Sequence, residues 1–210
     1  MSRIASAVAA LFIGFAGQAS VSAAGPDLLG CHGSFAKDAS EATLIAAFGA
    51  ANVANEALDV GEGFTEPGTV IFKTDDKRRI EVLWHDSEKR RRPSSIIVRE
   101  PSRWRIAVPG DSAMTLGNGT ELATVEAANR KPFTLNGFGW DGAGYVGEWN
   151  DGRLAKLAGG CSLSLRFGPS PQAKPAAVSK VSGDKPFASN AASMRAVKPR
   201  IEQISLGWPQ

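Results

Sequence analysis

Cys31 and Cys161 are the only cysteines of the chain, and the segment ahead of them decides their chemistry. Arg3 supplies a positive charge, Ala9 to Phe15 is an apolar run broken only by Gly14, and Val21-Ser22-Ala23 places small residues at a cleavage position. That order is the pattern of a secretory signal peptide over residues 1–23. A chain exported to the periplasm or secreted meets an oxidising compartment, where two thiols are joined rather than kept reduced. The expectation is a Cys31–Cys161 disulfide that ties the front of the mature chain to its last predicted strand. Bridging so distant a pair removes loop-closure entropy from the unfolded chain, worth up to about 4 to 5 kcal/mol in a chain-entropy treatment. The alternative is acylation of Cys31, because Leu28-Leu29-Gly30-Cys31 has the outline of a lipobox. Pro26 and Asp27 interrupt the run ahead of it, and acylation would leave Cys161 as an odd thiol, so pairing is the favoured reading.

Hydrophobic residues make up 43% of the chain and charged residues 21%, enough apolar surface for a packed core. The formal charge is +3; without Arg3 the mature chain carries 3 − 1 = +2. So small an excess argues against a nucleic-acid binder, which concentrates base on one face. Beyond the leader no apolar run approaches the roughly 18 residues that cross a bilayer, and no transmembrane segment is expected.

Two stretches of the chain resemble each other. Residues 38–53 align without gaps on residues 118–133, and each reads as a short helix. Asp38 and Asn118 are the expected N-caps, Glu41 and Glu121 complete capping boxes, and Gly49 and Asn129 suit the left-handed C-terminal position. Leu44, Ile45 and Phe48 in the first copy, and Leu122 and Val125 in the second, mark the buried face. Three strands follow each helix: Thr69 to Lys73, Arg79 to Trp84 and Ser95 to Arg99, then Phe133 to Phe138, Gly144 to Trp149 and Ser162 to Phe167. The pattern predicts an α+β fold with one disulfide. It consists of two related helix-plus-antiparallel-meander units, about 31–106 and 111–167, inside a domain of 24–167, with the helices on one face of the sheet or sheets.

The blocks LIAAFGAANV (44–53), EPGTVIF (66–72), RRIEVLW (78–84), PFTLNGFGWDGAG (132–144) and GGCSLSL (159–165) resemble a group of exported bacterial proteins, with Gly137-Phe138-Gly139-Trp140-Asp141 as the most specific run. That likeness implies export and a shared fold, and no activity. The helix-plus-sheet units weakly resemble the small lipoprotein A family and the tandem-repeat β-lactamase inhibitor proteins, which are binding and scaffold modules.

Residues 168–210 change character. Pro169, Pro171, Pro175, Pro186 and Pro199 alternate with Ala, Ser and scattered Lys and Arg, a composition that predicts a disordered, slightly basic tail. Ile201 to Trp208 ends it with an apolar patch able to dock.

Candidate chemistry centres on the segment from Asn136 to Tyr145. Its glycines let backbone approach a ligand, and Phe138, Trp140, Tyr145 and nearby Trp149 offer flat faces for a sugar, a peptide or a partner loop. Equally, the segment reads as a tight hairpin whose aromatics belong to the core. It lacks the dinucleotide and phosphate-loop patterns, and no cofactor is implied. His32 and His85 are the only histidines, without a nucleophile elbow, and read as surface residues. With both thiols bridged, no metal site is expected. Asp141, Glu148 and Asp151 are turn residues on the favoured reading, and on another they supply a carboxylate pair or bind calcium. Lys77 to Arg79 and Lys89 to Arg92 form basic clusters facing Asp75, Asp76, Asp86 and Glu88.

The sequence therefore leads to a periplasmic, non-enzymatic binding or interaction module of the cell envelope. Its contact surface is expected to combine Phe138, Trp140, Asp141, Tyr145 and Trp149 with Arg90, Arg91 and Arg92, and its partner to be an envelope protein, a peptide or a glycan rather than nucleic acid. The alternatives are a small secreted hydrolase acting on cell-wall or polysaccharide material, with Asp141 and Glu148 as acid and base, and an outer-membrane assembly accessory factor.

Overall fold

Ile80, Val82, Trp84, Ile96 and Val98 are buried, while the residues between them, Glu81, Leu83 and Ile97, are only half-buried. This period of two builds strands with one face on a core. The structure, a computed structural model, describes residues 27–140 and 142–209; the leader expected over 1–23 lies outside them. The strands are β1 (Leu28–Leu29), β2 (Val53–Gly61), β3 (Phe64–Ile71), β4 (Ile80–Asp86), β5 (Arg91–Arg99), β6 (Arg105–Val108), β7 (Asp111–Gly117), β8 (Thr134–Asn136), β9 (Val146–Glu148), β10 (Ser162–Gly168), β11 (Pro186–Ala188) and β12 (Arg200–Gly207). Four short helices accompany them, α1 (Glu41–Phe48), α2 (Leu122–Asn129), α3 (Pro175–Val178) and α4 (Ala192–Ala196).

The largest sheet has six antiparallel strands in the order β10-β12-β5-β4-β3-β2. A second, β1-β6-β7, pairs Leu28–Leu29 in parallel with Arg105–Ile106. The third is β11-β8-β9. The architecture is α+β, mostly sheet, with Cys31 and Cys161 joined as a disulfide. The acylation alternative gives way at this point: Cys31 is bonded and only 4% exposed.

Several expectations are corrected. The capping residue of α1 is Ser40, not Asp38. Its hydroxyl accepts from Thr43 N at 3.4 Å, and Thr43 Oγ1 accepts from Ser40 N at 2.9 Å, so Thr43 closes the box instead of Glu41. α2 begins after Glu121 rather than at Asn118, and its left-handed cap is Arg130, with Asn129 buried one position earlier. Asn129 is held there because its side chain reaches Trp149 O and Lys131 O at 3.0 and 2.9 Å. β2 and the β6–β7 hairpin were not anticipated. The strands grouped as a second meander divide between sheets: β8 and β9 pair with each other, while β10 joins the main sheet. The topology therefore does not reproduce two equal units.

The largest correction concerns residues 168–210, which are not a loose tail. β12 lies inside the main sheet, hydrogen-bonded to β10 on one side and β5 on the other. Ile201, Ile204, Leu206 and Trp208 are buried. The physical reason is that β12 takes both partners from distant chain. Two ladders and an apolar face offset its ordering entropy, which its Pro-rich surroundings could not do alone. The path from β10 to β12 crosses α2, where Leu122 N donates to Pro199 O (2.9 Å) and Arg195 Nη2 pairs with Glu126 Oε1 (2.5 Å).

Candidate functional site

Most of the predicted aromatic surface faces inward. Phe138 is 5% exposed and belongs to the core. Trp149 packs on Phe133 with ring centres 5.0 Å apart and donates from Nε1 to Leu163 O at 3.0 Å. The Tyr145 hydroxyl accepts from Gln203 Nε2 at 3.2 Å. Gly144 explains the tightness of this loop: at φ +72°, a Cβ there would lie 1.9 Å from Phe167 O. Only Trp140 projects, 65% exposed. Asp141 lies outside the described residues, and Glu148 is exposed on β9 with its backbone N–H on Thr134 Oγ1 (3.1 Å).

Arg90, Arg91 and Arg92 do not join that loop. They sit at the start of β5, Arg91 opposite Asp86 and Arg90 paired with Glu41. The far end of β5 carries Arg99, and there Arg99, Gln203, Arg166 and Tyr145 form one row across neighbouring strands. Eight residues separate Arg91 from Arg99, roughly 25 Å along a strand, so the two halves of the expected surface lie at opposite ends of the sheet. The Arg99 guanidinium has its pKa pulled down, chiefly by burial; Tyr145 and Asp59 act in the opposite sense. Glu81 accepts from Arg79 through Oε1 and forms an ion pair with Arg99 through Oε2. Within this row Gln203 donates to Tyr145, and the Arg166 guanidinium lies over the Tyr145 ring while its Nε donates to Ala143 O at 3.2 Å.

A site the sequence reading missed lies beside the disulfide. A cleft of about 430 Å³ is bounded by β1, β6 and the turn into β7, and by Leu157 and Ala158 ahead of Cys161. Its walls are aliphatic, including Leu29, Ile106, Val108 and Leu157, with His32 and Asp111 as the ionisable side chains. No Phe, Tyr or Trp ring lines it. The bridge fixes the geometry by holding the start of the domain against the loop before β10, Cα to Cα 5.6 Å. Gly159 makes the approach feasible: at φ +92°, a Cβ would sit 2.6 Å from Cys31 O. The missed signal was Pro109-Gly110, a turn dipeptide between the apolar positions Ile106 and Val108 and the strand after it.

Among the described residues, no group of three or more His, Cys, Asp or Glu side chains is placed to hold a metal ion, and no helix is long and apolar enough to cross a membrane. His85 is drawn into the fold instead of standing at the surface, its Nε2 lying 2.9 Å from Trp208 O. No family model matches the chain, and neither a curated protein nor a solved structure matches it.

Proposed function

We propose that the chain is an exported, non-enzymatic binding module of the cell envelope, and that its ligand inserts an unbranched aliphatic chain into the cleft beside the Cys31–Cys161 bridge. The cleft itself carries the reading. Its volume of about 430 Å³ falls in the size range of small-ligand sites, which are mostly apolar with few polar groups. Flat rings and sugars find no Phe, Tyr or Trp to stack on there, whereas leucine, isoleucine and valine walls suit a flexible alkyl chain. Asp111 in the lining disfavours an anionic headgroup, so the ligand is neutral or cationic at that end.

Calorimetric titration of the mature protein with a medium-chain alkyl alcohol tests this. Saturable one-to-one uptake is expected, lost at least tenfold in Ala107→Trp and Ala158→Trp, which fill the cleft from exposed positions. Absence of uptake, or equal uptake by the filled variants, overturns it. Export is checked independently by mass spectrometry of the mature N-terminus, expected just after Ala23.

A second reading rests on Trp140, the one aromatic of the Gly-rich loop that is largely exposed. An exposed tryptophan is the residue type that anchors protein contacts. Trp140→Ala is expected to abolish retention of an envelope partner without changing stability. The hydrolase alternative instead requires turnover that Glu148→Gln removes.

A further inference from the structure

α1 is apolar on nearly every side, yet only Leu44 among its residues is buried; Ala42, Ile45, Ala46 and Ala47 are exposed, Ile45 by 38%. A helix apolar all round is normally covered. Its N-terminal end is tied to the basic start of β5, with Glu41 N on Arg90 O (2.9 Å) and Arg92 N on Ala39 O (2.8 Å). An apolar patch thus adjoins a cationic rim of Lys89, Arg91 and Arg92, which form no ion pair among the described residues. Asp86 and Glu88 offset this rim only partly.

The β2–β3 hairpin presents the inverse. Its tip exposes Phe64 (66%) and Val60 (41%), ringed by Asp59, Glu62 and Glu66, again without ion pairs among the described residues. From Val53 to Phe72 there are four carboxylates and no basic side chain. Pro67 has no N–H to give a ladder, and β3 pairs with β4 only from Thr69 onward, so the arm stands away from the sheet. A cleft lined by Ala57, Pro67, Ser87 and Arg90 separates it from the basic turn of its own chain.

We propose that the occupant of the α1 face is a second copy of this chain: the acid-ringed tip of one copy seats Phe64 and Val60 on the apolar face of α1 in the other, under Lys89, Arg91 and Arg92. Each copy carries both plug and socket, so one two-fold axis brings each plug onto the other copy's socket, as an isologous dimer requires. The contact is small and charge-rimmed, which places the dimer in the weak, salt-sensitive class.

Sedimentation equilibrium of the mature protein, at low and high salt, is the test. The wild type is expected to dimerise in the micromolar range, more weakly at high salt, and Phe64→Ser is expected to weaken it at least tenfold. Glu62→Lys with Glu66→Lys reverses the plug, and Arg91→Glu with Arg92→Glu reverses the socket. Each double variant alone is expected to be monomeric. Mixed together they are expected to dimerise, because both contacts then again join opposite charges. A monomeric wild type, or double variants that dimerise separately but not preferentially together, overturns the proposal.

Discussion

α1 and α2 have the same length and follow similar sequence patterns, yet α1 buries only Leu44 whereas α2 buries Leu122, Val125, Ala128 and Asn129. The difference is in what lies over them. α2 is crossed by the path from β10 to β12, whose Met194 and Val197 are buried and whose Arg195 pairs with Glu126. No described segment performs that service for α1. A helix of eight residues is marginal on its own, so its stability comes from whatever covers its apolar face, and the two helices show one pattern in covered and uncovered form.

The sharpest way to break the comparison is to place the same charge on each. Val125→Asp puts an unpaired carboxylate at a fully buried position and is expected to cost at least about 3 kcal/mol. Ile45→Asp, on the exposed face of α1, is expected to stay within about 0.5 kcal/mol of wild type in dilute monomer, while abolishing the two-copy contact. Urea unfolding measures both. Equal losses would mean that α1 is covered after all.

Cys161→Ser removes a bridge that spans 130 residues and joins the segment after β1 to the residue before β10. Its expected cost is about 2 to 5 kcal/mol, with the cleft beside the bridge lost before global unfolding. If the variant keeps full stability and full ligand uptake, the bridge does not shape the cleft.

Much of this was legible in the chain. The alternation of Ile80, Val82 and Trp84 located β4, Leu163, Leu165 and Phe167 located β10, and two isolated cysteines behind an apparent leader named their own partner. β12 was not legible, because its partners β5 and β10 are remote and the prolines before it spoke only of local order. The direction of the loop's rings was misread for a related reason: glycines and aromatics mark a tight loop whether its rings face solvent or core. Only close packing, such as Gly144 against Phe167 O, decides which. Ile45 illustrates the opposite error, since periodicity assigned it to the core when its neighbour is absent from the described fold.

The cover over α2 has its own modest test. Arg195 reaches Glu126 and also donates from Nε to Ser189 O at 2.9 Å; its side chain is 34% exposed. Arg195→Ala is expected to cost about 1 to 2 kcal/mol, the range of a partly solvated charged hydrogen bond. Phe64→Ala on the arm is expected to cost nothing measurable. Differential scanning calorimetry on both resolves the ranking.

The smallest effect separates the root of the β2–β3 arm from its tip. Glu56 at the root has its pKa held below the ordinary carboxylate value of 4.5, first by its hydrogen bond to Lys73 and then by Arg79. A depressed folded-state value means the stabilisation is fully present above the unfolded value and disappears as pH falls through the folded one. The acid limb of the stability curve therefore carries a contribution from Glu56 below about pH 4.5. Glu56→Gln is expected to lower Tm by no more than a few degrees at neutral pH, and the gap to wild type is expected to close as the buffer is acidified below that value. Glu62→Gln at the tip removes no ion pair among the described residues and is expected to leave Tm at neutral pH unchanged, so an equal drop in both variants would show that the Lys73 and Arg79 contacts are not what Glu56 contributes.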